Sequence, residues 1–161
     1  MMLEELGSKI DTDRVHFTGQ IDYRSYLSLL QVSSAHVYLT YPFVLSWSFV
    51  EALAAGCLVV GSATPPVMEV LRDGENGLLV DFFSPTSLAQ RIEAALEQPA
   101  AMQRLRTAAR ETAVRMFDLK TVALPRWTGV FEELISGRRP ELFVQSRDRA
   151  ARVQRRAGVA G

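Results

Sequence analysis

The residue best placed to do chemistry is Glu51. It stands among Phe49, Val50, Ala52 and Leu53, within the stretch Tyr41-Pro42-Phe43-Val44-Leu45-Ser46-Trp47-Ser48-Phe49-Val50-Glu51-Ala52. A carboxylate with apolar neighbours is costly to desolvate unless it finds donors. The two hydroxyls of a ribose would satisfy its two oxygens. On spacing alone, an ordinary helix glutamate facing water or an arginine is the competing reading. Upstream, a strand is predicted to end at Thr40 and the chain to turn at Pro42. A helix then begins near Ser46, whose hydroxyl can cap free backbone N–H groups. A helix N-terminus at the carboxyl end of a parallel sheet offers those groups and a partial positive charge to phosphate. Open α/β sheets bind ligands in that crevice, so the backbone near Ser46 and Trp47 is the phosphate candidate.

Other chemistries lack their residues. His16 and His36 lie in predicted strands without a partner motif for metal or nucleophile work, and packing is the expectation for both. Cys57 has no nearby histidine and reads as a small buried hydrophobe. Trp47 and Trp127 are expected as packing anchors. No zinc spacing, P-loop, Gly-x-Gly-x-x-Gly fingerprint or nucleophile elbow occurs. No catalytic residue and no metal ligand are assigned.

The elements that must position Glu51 alternate along the chain. Short apolar runs at 15–18, 36–40, 58–61 and 78–80 read as strands closed by Gly, Pro or Asp. Helical stretches at 22–33, 46–56, 65–73 and 85–97 lie between and after them, followed by helices at 99–116 and 119–136 that Gly137 ends. Alternation of this kind predicts an α/β fold: a Rossmann-like parallel sheet with flanking helices, ending in C-terminal helices. With 161 residues the chain is one compact domain, read as 1–136 plus a basic tail at 137–161. Hydrophobic residues at 48% provide for a core, and 18 basic against 18 acidic residues give no field that selects nucleic acid. A single cysteine rules out an internal disulfide framework and suits a reducing cytosol. No signal peptide is evident at Met1–Gly7, and every apolar run falls far short of the roughly 20 residues of a membrane span. The tail carries seven Arg against Glu141 and Asp148. It reads as a solvated terminus, with peripheral contact to membrane phospholipid or to a partner as the alternative.

The order of these features carries a resemblance. Strand, proline, a helix with Glu51-Ala52 and a following Gly56, a strand, Glu69-Val70, then Asp73-Gly74-Glu75-Asn76-Gly77-Leu78-Leu79-Val80 resembles the donor-domain signature of family-4 retaining glycosyltransferases of GT-B fold. It covers roughly residues 14–135. The resemblance implies a nucleotide-diphospho-sugar donor, an acceptor it does not name, retention of configuration and no obligatory metal or other cofactor. In that family the helix after the proline carries two glutamates separated by seven residues. Glu51 matches the second, which holds the ribose hydroxyls, and Val44 to Ser48 match the backbone that approaches the diphosphate. The first glutamate falls at Phe43, which cannot accept a hydrogen bond from a sugar. The turn at Thr18-Gly19-Gln20-Ile21 matches a loop beside the nucleobase: Gly19 admits close backbone approach and the Gln20 amide can read a base edge. A plain strand-ending turn is the other reading there. Thr64-Pro65-Pro66 stands where many relatives have glycines and reads as structural.

The resemblance also implies that the acceptor domain and the first two βα units of the donor domain are absent from this chain. Negligible transferase activity is then expected of the chain by itself. The strand at 15–18 is expected either to pair beside 36–40 in a rearranged three- or four-stranded sheet or to borrow strands in a homodimer. The two functional readings are a cytoplasmic glycosyltransferase donor subdomain, with peripheral placement at the inner membrane face as the alternative location, and a non-catalytic nucleotide-sugar-binding or interaction module.

Overall fold

The computed structural model describes residues 10–11, 13–41 and 44–138. Helix α1 is Tyr23–Val32, strand β1 His36–Tyr38, helix α2 Trp47–Ala54, strand β2 Val59–Ser62, and helix α3 Pro65–Met68. Strand β3 is Leu78–Val80, helix α4 Pro85–Glu97 and helix α5 Pro99–Phe117. A π-helical turn at Leu119–Ala123 leads into helix α6, Leu124–Ile135. The strands form one parallel sheet in the order β1-β2-β3, with His36 opposite Val59 and Val60 opposite Leu78. All four residues of β2 are buried, as a central parallel strand covered on both faces requires.

Side chains alternate across the sheet. Val59 joins Phe49, Leu53, Val67, Leu71 and Ala109 in one core cluster, and Val60 joins Leu58, Leu78, Val80, Ala95 and Leu105 in another. Helix α5 feeds both. Its arginines also grip the C-terminal ends of two helices, where carbonyls lack intrahelical partners. Arg106 Nε donates to Gly56 O at 3.0 Å and its Nη1 to Ser33 O at 3.2 Å, while Arg110 Nη1 donates to Ala54 O. Cys57 is fully buried, and burial pushes its thiol above the ordinary range.

Several sequence expectations are corrected. Residues 15–18 form no strand: Val15 is 42% and Phe17 55% exposed, and among the described residues nothing pairs with the outer edge of β1. Four alternating residues hold as a strand only where a neighbouring ladder and a covering layer bury them, and neither is present among the described residues. The sheet is three-stranded without them. His16, on that stretch, is exposed and not packed, whereas His36 is half-buried. Trp47 and Trp127 are 82% and 61% exposed, so neither anchors the core. Trp47 is the first residue of its helix, and the Trp127 ring lies along Phe131 on an outer face. Helix α3 stops at Met68, well short of 73. The helix at 119–136 is divided, because Pro125 has no N–H for an i→i−4 bond; the turn before it widens to bonds such as Ala123 N to Asp118 O, 2.9 Å. Gly137, at φ +73°, closes α6 as expected, with Arg138 N donating to Glu133 O at 2.9 Å. The rest of the basic tail lies outside the described residues.

Candidate functional site

At the carboxyl rim of the sheet two ties hold the loop that leads to α2. Ser62 Oγ donates to Thr40 O at 3.0 Å and accepts from Thr40 N at 3.1 Å. Six residues on, Ser46 N donates to Tyr38 Oη at 2.9 Å. Ser46 then caps α2 as predicted, its Oγ accepting from Ser48 N at 3.2 Å and lying 2.9 Å from Ser48 Oγ. The positive end of the helix dipole therefore opens at the rim. Val44 and Trp47 point outward, 71% and 82% exposed. Leu45 turns inward, packs on the core, and shares the lining of a cavity of about 610 Å³ with Pro65, Met68, Met116 and Phe117. Phe43, together with Pro42, lies outside the described residues. Tyr41 packs edge-on against Phe82 and Phe83 from the loop after β3, with centroids 5.9 and 6.4 Å away.

Glu51 lies one turn into α2 and is half-buried. Its Oε1 accepts a hydrogen bond from Tyr23 Oη at 3.0 Å. Among the described residues no arginine or lysine pairs with it. Tyr23 opens α1, whose start is fixed by Asp22: Ser25 N donates to one carboxylate oxygen at 3.1 Å and Ser25 Oγ to the other at 2.5 Å. Those bonds hold the Asp22 carboxyl below its ordinary range. The hydrogen bond to Glu51, more than burial, raises the Tyr23 phenol. Tyr26, one turn along, has its phenol raised chiefly by burial and then by the Glu51 charge, and its hydroxyl is buried without a hydrogen-bond partner. Gly19, at φ +61° with open space where a Cβ would stand, and the exposed Gln20 come just before α1. Helix α1, which follows that turn, and the Glu51 helix are thus joined by one hydrogen bond.

Sequence reasoning missed Tyr23, Tyr38 and Ser62. A tyrosine four residues past a positive-φ glycine and a serine ending a buried strand were the available signals, but their partners lie 28 and 22 residues away. The Asp73–Gly77 motif serves the fold. Asp73 Oδ1 accepts from Leu79 N at 2.9 Å and Oδ2 pairs with Arg91 at 2.9 Å. Asn76, 6% exposed, accepts from Arg72 N at 2.6 Å and donates to Val70 O at 2.9 Å and Thr112 Oγ1 at 3.1 Å. A Cβ at Gly77 would lie 2.5 Å from Leu71 Cδ1 and 2.9 Å from Val59 O. Among the described residues, no cluster of His, Cys, Asp or Glu is arranged to hold a metal, and no helix is long and apolar enough to cross a membrane.

Residues 3–112 match the family described as Glycosyl transferases group 1. The chain belongs to that family. Within this group 1 glycosyl transferase family it is 38% identical over 117 residues to the phosphatidyl-myo-inositol mannosyltransferase of Mycobacterium tuberculosis, a match covering 68% of this chain and 30% of that protein. It is 32% identical over 107 residues to a glycogen synthase of the same species, covering 66% and 26%. In structure it is similar to the sucrose-phosphate synthase of Thermosynechococcus elongatus, with TM-score 0.70, 28% identity, and coverage of 84% of this chain and 33% of that one. It is also similar to Anabaena HepE in complex with UDP, with TM-score 0.67, 25% identity, and coverage of 83% and 35%. The α/β group 1 domain is of GT-B type. The chain spans about a quarter to a third of the length of the curated relatives it matches.

Proposed function

We propose that this group 1 chain supplies the nucleotide-binding subdomain of a family-4-type retaining glycosyltransferase that moves a sugar from a nucleoside-diphospho-sugar. In this reading Glu51 receives the ribose hydroxyls, and the backbone from Val44 through Trp47 faces the diphosphate. Gly19 and Gln20 lie beside the base. The observation that carries it is the state of Glu51. It is a half-buried carboxylate on a helix capped at the sheet's carboxyl rim, with one oxygen held by a phenol and no cation beside it among the described residues. The bound nucleotide of HepE is consistent with a nucleoside diphosphate as ligand.

In a retaining transfer negative charge grows on the departing diphosphate as the sugar–phosphate bond breaks. The positive end of the α2 dipole would meet that charge without reorganising. No metal is required in this reading. Phe43 in place of a carboxylate favours the second reading, a non-catalytic nucleotide-sugar-binding module. Either way the chain alone turns over a sugar donor negligibly, and robust turnover by the purified chain refutes that expectation. The edge of β1, unpaired among the described residues, allows a homodimer, which size-exclusion with light scattering would reveal. The seven arginines after Gly137 would lie on anionic headgroups, which co-sedimentation with phosphatidylserine vesicles tests.

Calorimetry with UDP and GDP on wild type and Glu51→Ala tests the site. A charged hydrogen-bond acceptor for a ligand hydroxyl contributes about 1.5–3 kcal/mol, so Glu51→Ala is expected to weaken the nucleotide that binds by more than tenfold with an unchanged melting temperature. Equal affinity in the two proteins overturns the assignment.

A further inference from the structure

Tyr23 is an unusual place to find a well-made bond. The residue is 62% exposed, so its ring gains little from burial and water could serve its hydroxyl. Yet Tyr23 Oη reaches across from α1 to Glu51 Oε1 at 3.0 Å. The base it reaches from is firm. Asp22 accepts from both Ser25 N and Ser25 Oγ, and the Tyr23 ring leans on Tyr26 with centroids 6.1 Å apart. At the far ends of α1 and α2, Arg106 binds Ser33 O and Gly56 O. The two helices are thus fixed at their tails, and the phenol fixes a side chain between them near their heads. Among the described residues no hydrogen bond reaches Glu51 Oε2, although the buried Tyr26 hydroxyl lies near enough for the Glu51 charge to raise its phenol.

Resting on the assignment of Glu51 to a ribose, we propose that Tyr23 is a positioning residue: its hydroxyl holds one carboxylate oxygen of Glu51 so that the other is presented to the ribose, and the site thereby selects a ribonucleotide over its deoxygenated analogue. A free glutamate loses up to about 2 kcal/mol of rotamer entropy when it is ordered. A donor that orders it beforehand lowers that cost at the moment of binding. The phenol suits the task because it is protonated at neutral pH, and its hydrogen bond to Glu51 raises its pKa further. An arginine there would neutralise Glu51 and compete with the ligand for both oxygens.

The test uses the full chain and whichever of UDP and GDP it binds, paired with the 2′,3′-dideoxy form of that nucleotide. The quantity read is the ratio of the two dissociation constants. Wild type is expected to prefer the ribonucleotide by more than tenfold. Tyr23→Phe keeps the ring and is expected to keep the melting temperature. It should weaken the ribonucleotide about three- to tenfold, leave the dideoxy form unchanged, and so shrink the ratio. In a Glu51→Ala background the ratio falls to near one, and Tyr23→Phe adds nothing. A ratio unmoved by Tyr23→Phe but collapsed by Glu51→Ala overturns the role of Tyr23 and leaves the ribose assignment standing. A ratio unmoved by Glu51→Ala, or a chain that binds neither nucleotide, overturns both. A ratio moved by Tyr26→Phe instead gives the role to that buried hydroxyl and also overturns the proposal.

Discussion

The turn at 73–77, made of Gly, Asp, Glu and Asn, and the rim loop at 40–48, mostly aromatic and aliphatic, end in opposite states. In the turn, the buried Asn76 and the exposed Asp73 both find partners. Asn76 makes three hydrogen bonds while buried, Asp73 uses both oxygens, and Gly77 leaves no room for a Cβ. In the rim loop the chain is tied at Thr40 and Ser46, but Val44 and Trp47 stand in solvent and the start of α2 faces outward. The turn is the more distinctive in sequence because a fold tolerates few alternatives at a crowded, fully bonded corner. A ligand-facing loop needs only its anchors fixed. The Asp73–Gly77 motif therefore serves folding, and the residues we propose to face a ligand sit in the plainer stretch.

Substitutions in the two regions should separate stability from binding. The largest effect is expected at Gly77→Ala, where a new methyl meets both Leu71 and the Val59 carbonyl. Overpacking of this kind costs roughly 3 kcal/mol, read as a lowered urea midpoint, and nucleotide affinity should follow only through the folded fraction. Asn76→Ala strands Arg72 N and Val70 O and should cost about 2 kcal/mol; a loss under half of that would show the turn to be less closed than its bonds suggest. Ser46→Ala removes the α2 cap and should cost about 1 kcal/mol by the same denaturant assay. It should also weaken nucleotide more than either turn variant does in folded protein. The smallest effect is on pH. Burial holds His36 below its ordinary value of 6.5, so it is neutral in the fold. Its contribution is fully present above that value and is lost as pH falls below it toward the depressed folded value, because the unfolded chain then binds the extra proton. His36→Gln should flatten that part of a stability–pH profile while leaving the rim loop's nucleotide affinity unchanged.

Much of the fold was legible from local pattern. Val59 and Val60 read as a buried strand because a central parallel strand is apolar on both faces. Ser46 read as a cap and Gly137 as a stop because those positions demand their chemistry. What failed depended on distant partners. The pattern at 15–18 suits a strand, yet no neighbouring ladder takes it up among the described residues. The helix at 65–73 shortens because the Asn76 side chain takes Arg72 N and Val70 O for itself, a competition between side chain and helix that spacing does not display. Glu51 was singled out from its apolar surroundings. Tyr23 was not, because a phenol on another helix leaves no periodic trace.

The sealed position of Cys57 has a practical consequence. It is the chain's single cysteine, with no exposed surface and a thiol whose ionisation burial suppresses. This chain should therefore stay silent to maleimide dyes at neutral pH. Trp47→Cys would then place one reactive handle beside the opening of α2, ready to report ligand arrival by fluorescence without first stripping other thiols from the molecule.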